Sequence, residues 1–537
     1  MSHLFSQIPR ANIQRSSFDR SHTYKTAFDS NYLIPFFVDE VLPGDTFNLQ
    51  ANLFGRLSTP VVPVLDNLYL DTFYFFVPTR LVWDNWQRFN GEQDNPGDST
   101  DYLIPTVACD GTSGSIYDYM GIPYLEGNGA AEGSTIDVNS LPFRAYNLIW
   151  NEWFRDENLQ DSVDVPKGDG PDDSTKFTLL KRGKRHDYFT SALPWPQKGP
   201  GVDLPLGDSP VPVVYGNTFL AHNNTYKDSR FKGVQAFLST SGGGAAVMDY
   251  HTNATIPYDS MSGSFTYSAA SSYEGWPLYA DLSQATSVTI NSLRQAFQLQ
   301  RLLERDSRSG TRYTEVLRAH FGVISPDARL QRPEYLGGHS QRVSINPVQQ
   351  TSATDTTSPQ GNLAAFGVVS SSERGFKKSF VEHGYIIGLV NLRADLNYQQ
   401  GLNRMWSRKT RFDFYWPVLA HLGEQVVLNQ EIFATGTTEQ DEDVFGYQER
   451  YAEYRYKPNM ITGKLRSTDP QSLDVWHLAQ KFDSLPQLNE EFISENVPVK
   501  RSLAVQNEPE LILDCFFKLS CVRPMPVYSV PGLVDHF

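Results

Sequence analysis

Four cations within five residues, Lys181, Arg182, Lys184 and Arg185 in KRGKRHDYF, make the densest basic run of the chain. Side chains of this kind at this spacing suit contact with phosphates, made without reading bases. They equally suit pairing with carboxylates at a contact between subunits. A second set, Arg10, Arg15, Arg20 and Lys25, recurs every five residues against one acid, Asp19, through polar sequence of low structural propensity. That pattern describes a partly basic arm over residues 1–40, and its four cations are the stronger phosphate candidates. Arg404, Arg408, Lys409 and Arg411 form a third basic group.

The acidic residues offer less. Glu439, Asp441 and Asp443 alternate as the carboxylates of a calcium loop do, but Val444 stands where that loop needs Gly and Arg450 where it needs a bidentate Glu. An EF-hand is excluded. A looser calcium site that adds Glu442 and a neighbouring chain, and a solvated acidic loop, both stay open, so no metal site is assigned. Catalytic constellations are missing: the sequence has no HExxH, no GxSxG elbow, no P-loop and no paired CxxC. Glu490 and Glu491 are adjacent and point apart, which does not suit a glycosidase pair. His186 and His339 stand alone, and no cofactor is expected. Cys109, Cys515 and Cys521 cannot complete a disulfide framework, and read as reduced core residues.

The elements that must carry these groups are mostly strands. In Leu68–Val77, Tyr69, Phe73, Phe75 and Val77 fall on one side and Leu68, Leu70, Tyr74 and Phe76 on the other, so both faces need covering. Pro78 stops that strand, and Thr79 as N-cap with Val82, Trp83, Trp86 and Phe89 at helical spacing predicts a helix ending at Gly91. Phe47, Leu49, Ala51 and Leu53 alternate with polar residues, and this strand with Leu68–Val77 reads as the opening pair of a barrel. Leu511 to Cys521 alternates until Pro524, and residues 384–396 and 411–418 supply further strands. Pro142 opens a helix with Tyr146, Trp150, Trp153 and Glu157 on one stripe. Ser292 with Gln295 predicts a capping box, and Tyr313 to His320 a second short helix. Strands near both termini with inserted material between them predict a mainly β fold, an eight-stranded antiparallel jelly-roll barrel with large loop and helix insertions.

At 537 residues the chain exceeds the roughly 250–300 residues of a usual single core. Yet 38 Gly, 33 Pro and 13% aromatic residues are spread over its length with no Pro/Ser linker, which favours one domain over 41–537 with long ordered loops. Such loops suit a chain that buries them against copies of itself. With 46 Lys and Arg against 61 Asp and Glu, the net charge of -15 argues against nucleic-acid binding by the chain as a whole, and confines it to local patches. The N-terminus has no apolar signal core and no run approaches the ~18 apolar residues of a membrane span, so synthesis in the cytoplasm is expected.

The wording of VVPVLDNLYLDTFYFFVPTRLVWDNWQRFNG, residues 61–91, resembles the signature of the major capsid proteins of microviruses, small single-stranded DNA phages, and of their gokushovirus branch in particular. Similar wording follows in the family's order in IQRSSFDRSHTY, VLPGDTFN, RGKRHDYFTSALPWPQKGP and the segment 290–338, covering about two thirds of the chain. The resemblance implies a virion protein, assembled in a bacterial cytoplasm, whose sixty copies close a T=1 icosahedral shell around circular single-stranded DNA. It implies as partners a small basic DNA-binding protein, pilot or spike-type minor virion proteins, and a scaffolding protein during assembly. Residues 215–281 lie where the family carries a variable insertion, a surface protrusion at the three-fold axes. Its Tyr226, Tyr250, Tyr258, Tyr267, Tyr273, Trp276 and Tyr279 among Ser and Gly have the composition of an adaptable binding surface, here expected to meet a host cell-surface receptor. The rival reading is a carbohydrate-binding protein or glycosidase on a β-sandwich.

Overall fold

The computed structural model describes residues 14–202, 213–215, 235–239, 245–249, 278–280, 290–309, 315, 318–320, 331–353, 356 and 359–528. Among the described residues ten strands build the two large sheets: β1 (Ser16–Asp19), β2 (His22–Phe28), β3 (Ile34–Val41), β4 (Thr46–Leu57), β5 (Leu68–Pro78), β6 (Glu334–Arg342), β7 (Ser344–Gln349), β8 (Leu363–Ser379), β9 (Gly384–Ala394) and β10 (Leu511–Arg523). All pair antiparallel. One sheet runs β1-β10-β4-β8-β7, with β2 also on β10, and the other runs β6-β5-β9-β3. The chain switches sheets from β2 to β3, β3 to β4, β4 to β5, β6 to β7, β8 to β9 and β9 to β10, which is jelly-roll connectivity. The first and last strands are neighbours, as expected: Phe28 lies opposite Leu511 and Phe18 opposite Cys521. Among the described residues the sheets do not close into a barrel; they face each other as a sandwich.

Alternation decides which residues meet. Leu511, Leu513, Cys515, Phe517, Leu519 and Cys521 of β10 are buried, and the residues between them point outward. They join Phe47, Leu49, Ala51 and Leu53 of β4, and Leu68, Leu70, Tyr74 and Phe76 of β5, in the core between the sheets. The other side of β5 enters a second core: Phe75 and Val77 pack with Tyr385, Ile387 and Leu389 of β9 beneath helix α1 (Leu141–Trp153). This is why the aromatic strand is buried on both faces. In α1, Asn139 Oδ1 accepts from the Leu141 amide at 3.0 Å, Pro142 sits in the first turn, and Phe143, Tyr146, Ile149 and Trp150 face the sheet. Arg144, fully buried in the same helix, is held by a two-pronged pair with Asp172 at 2.7 Å. A third core gathers Tyr188, Phe189, Val427, Phe445 and Phe492.

Several expectations are corrected. The chain after Pro78 forms a 3-10 turn, Thr79–Leu81, and a separate short helix, Trp86–Phe89, with no side-chain cap from Thr79. The Trp83 indole donates to Asp169 at 2.8 Å and the Asp84 amide to Lys167, and these bonds draw the intervening residues out of a helix. Residues 411–418 form no strand but two 3-10 turns, Arg411–Asp413 and Pro417–His421, because Asp413 caps the first and Pro417 cannot donate to a ladder. Helix α2 (Ile290–Ser309) is already under way before Ser292, so that residue stands inside the helix and not at its start. Helix α1 stops at Trp153, short of Glu157, and of the second short helix Glu315 and residues 318–320 are described, as helix. The strands taken as an opening pair, β4 and β5, lie in different sheets and follow three others. The arm expected over residues 1–40 is part of the two sheets from Ser16 onward.

By its internal contacts the chain divides into two compact units, residues 1–199 with 303–537, and 200–302. In the second, Val213–Tyr215 pairs with Leu278–Ala280 and Gln235–Ser239 with Ala245–Asp249, both antiparallel. The first pairing brings together the two ends of the segment expected as an insertion.

Candidate nucleic-acid interface

Residues 180–184 are fixed by backbone bonds on both sides. The Leu33 amide donates to Leu180 O and the Arg182 amide to Asn31 O, both at 3.0 Å; the Lys184 amide donates to Ile493 O at 2.7 Å and Glu495 N to Arg182 O at 2.8 Å. The segment crosses the ends of β5 and β9, where Asp71 and Arg393 wait. Arg182 Nη1 donates to Asp71 Oδ2 at 2.6 Å, and Arg393 Nε lies 2.7 Å from the same oxygen. The Arg182 guanidinium also stacks 4.8 Å from the centre of the Phe73 ring. Lys184 Nζ reaches Gln480 Oε1 at 2.9 Å and lies 4.5 Å over Phe492.

Burial, more than charge, sets the protonation here. It drives the Glu495 carboxyl up to about 8 even though Arg182 and Arg393 pull the other way. It pushes Lys184 down to about 8 against the pull of Asp187 and Glu495. Arg393 is lowered to about 10, by burial first and by neighbouring Arg182 second. Two of the four cations of the run are thus turned inward. The outer two keep looser partners: Lys181 lies 5.8 Å over Tyr32, and Arg185 lies 5.0 Å over Tyr69 and 3.8 Å from Asp395.

Beside the run opens a cavity of about 630 Å³ lined in part by Phe73, Trp153, Tyr335, Arg155, Arg182 and His186. Trp153 and Tyr335 present partly exposed rings 5.8 Å apart, and the Trp153 indole is anchored by a bond to Pro333 O at 2.9 Å. Aromatic faces next to guanidinium groups can take a base and its phosphate. Asp156, Glu157 and Glu315 also line the space, so its charge is mixed.

The other basic candidates are dispersed. Arg15 Nη2 donates to Gly44 O at 2.6 Å and Thr46 Oγ1 at 3.2 Å; Arg20 pairs with Asp39 at 2.5 Å; Lys25, well exposed, pairs with Asp514 at 3.1 Å. Arg10 lies outside the described residues. So do Tyr226, Tyr250, Tyr258, Tyr267, Tyr273 and Trp276, and nothing of the Tyr279 side chain is described. In the acidic loop, Asp441 accepts from the Thr435 amide and hydroxyl at 2.8 Å and from the Gly436 amide at 2.9 Å, which holds its carboxyl below the usual range. Glu442 pairs with Lys409 at 2.9 Å, while Glu439 and Asp443 are exposed. Among the described residues no group of three or more His, Cys, Asp or Glu is arranged to hold a metal ion.

Sequence reading missed the partners of the basic run. Asp71 was the available signal: a lone carboxylate in a strand buried on both faces must meet a cation. Arg393 and Glu495 gave no such sign, because only the fold brings them within reach.

A two-sheet antiparallel jelly roll with long excursions is an architecture that shell-forming structural proteins use. The chain belongs to the family described as capsid protein (F protein), whose profile matches residues 6–533. It is 50% identical to capsid protein VP1 of Bdellovibrio phage phiMH2K over 100% of this chain and 98% of that protein. It is 46% identical to capsid protein VP1 of Chlamydia phage 1, covering 99% and 98% of the two chains. With capsid protein VP1 of Spiroplasma virus 4 it shares 38% identity over 99% and 97%. The microvirus resemblance is thereby shown, and the protein is a structural component of a virion that assembles as a multimer, not an enzyme. Among the described residues no helix is long and apolar enough to cross a membrane.

Proposed function

We propose that sixty copies of this chain close a T=1 icosahedral shell around circular single-stranded DNA. The observation that carries this reading is the match to capsid proteins over nearly the whole chain, on a two-sheet antiparallel jelly roll. Contact with DNA falls to Arg10 and its neighbours, to Lys25 and Arg185, whose side chains are exposed, and to Lys181, which lies over the Tyr32 ring. Arg182 and Lys184, held by Asp71 and Gln480, belong to the fold. Because the net charge is -15, most neutralisation of the genome comes from a small basic DNA-binding protein packaged with it. Pilot or spike-type minor proteins and a transient scaffolding protein complete the assembly. The insertion 215–281 rises at the three-fold axes and meets the host cell-surface receptor through its tyrosines and Trp276.

Reassembly around circular single-stranded DNA, with and without a basic peptide, tests the division of labour. Retention of DNA at physiological salt is expected to need the peptide. The Lys25→Gln, Lys181→Gln, Arg185→Gln variant is expected to flatten the salt dependence of what binding remains, by roughly one unit of log–log slope per lost phosphate contact. Full retention by the chain alone, with an unchanged slope in the variant, contradicts it.

A further inference from the structure

The two 3-10 turns at 411–413 and 417–421 hold large apolar side chains out in solvent. Trp406, Phe412, Phe414, Tyr415, Trp416 and Tyr454 are 45 to 71% exposed, Leu422 is 62% and Val418 87% exposed. Phe412, Phe414, Tyr415, Trp416 and Tyr454 are tied together by ring and guanidinium contacts, and Trp406, Val418 and Leu422 lie within a few residues of them in the chain. Tyr415 packs 6.2 Å from Tyr454 and its amide donates to the Tyr454 hydroxyl at 3.3 Å. Arg408 lies over Phe414 at 5.3 Å and Tyr454 at 4.3 Å, and Arg411 lies over Phe412 at 5.2 Å and Trp416 at 5.3 Å.

The surface is built in advance. Asp413 accepts from the Lys409 amide at 2.9 Å and the Thr410 amide at 2.6 Å, Trp416 Nε1 donates to Arg411 O at 2.8 Å, and Tyr451 OH donates to Phe414 O at 3.0 Å. Little ordering entropy is left for a partner to supply. At about 200 Å² per aromatic side chain, the six rings alone leave roughly 600 Å² uncovered. That reaches the upper end of the largest apolar patch on a typical monomer, ~300–600 Å². With Val418, Leu422 and Met405 it approaches the ~800 Å² that each partner gives to a standard interface. Trp, Tyr and Arg are also the residues that dominate interface energies.

We infer that this surface is a contact between neighbouring copies of the chain, an inference that rests on the shell reading above. Two observations choose that occupant. Three of the cations already have carboxylate partners, Arg404 with Glu431, Arg408 with Glu453 and Lys409 with Glu442, and much of the exposed area is aliphatic, Val418 and Leu422 with Met405, which a protein surface covers better than a nucleic acid does. The remaining cations, Arg411 and Arg450, would repel a basic protein, whereas a second copy of a chain of net charge -15 is attracted.

Oxidative footprinting of Met405, Trp406 and Trp416 in dissociated subunits, in DNA-free particles and in filled particles tests it. Labelling in the subunits and its loss in both kinds of particle are expected. Protection only in filled particles assigns the surface to DNA, and labelling that persists in both leaves it facing solvent; either result overturns the inference. The Trp406→Asp, Val418→Asp variant, altered only where the side chains are exposed, is expected to fold with the circular dichroism of the parent and to lose particles. Normal particles from it overturn the inference as well. Failure of the parent chain to form particles refutes the shell reading instead.

Discussion

The side chains with the most chemistry in this protein spend it on one another. Glu495 shows how. Its carboxyl titrates near 8 because burial keeps it protonated, so the folded state holds a proton that the unfolded chain releases above its ordinary value of 4.5. Stability from this group is present below that value and is lost as pH rises through about 8. Lys184 acts in the opposite sense: lowered to about 8 from 10.5, it removes stability as pH falls through that interval. Melting temperature against pH should therefore decline for the parent relative to Glu495→Gln between about pH 5 and 8; parallel curves contradict the assignment. The three thiols make a second test. Cys109, Cys515 and Cys521 are buried and unpaired, and burial raises each above its usual range. A thiol-specific reagent should find none of them in the native chain and all three after denaturation.

Strands and turns differ in how far sequence reveals them. A strand that alternates strictly announces its buried face, and β5 and β10 could be read residue by residue, down to the two faces of the aromatic strand. The 3-10 turns at 411–421 could not, because a Thr410–Asp413 cap and a proline override an apolar run that reads as strand. The Thr79 helix failed for a tertiary reason, the bond from Trp83 to Asp169. The basic run was visible as charge, but its turning inward depended on Asp71, Arg393 and Glu495, which lie far apart in the chain. The seam between the sheets carries its own prediction. Phe517 of β10 is fully buried and its ring lies 5.4 Å from Phe36 and 5.1 Å from Phe37 of β3. Phe517→Ala should cost about 3–5 kcal/mol of subunit stability, measured as a lower denaturant midpoint with an unchanged slope. A loss below 1 kcal/mol, roughly the cost of an ordinary surface change, would contradict that packing.

For the whole molecule, composition and family point to the same conclusion. An acidic chain with many aromatic residues and long loops carries an apolar excess that, in a multimer, copies of itself can cover. Closed symmetry then uses up surfaces that a lone subunit would expose. What sequence could not supply is the location of those surfaces, since exposure belongs to the folded subunit and not to any run of residues. Electron microscopy of the purified chain under assembly conditions tests the central claim most directly. Closed icosahedral particles of uniform size are predicted, and a population that stays as 60.6 kDa monomers under every condition that preserves the fold would contradict it.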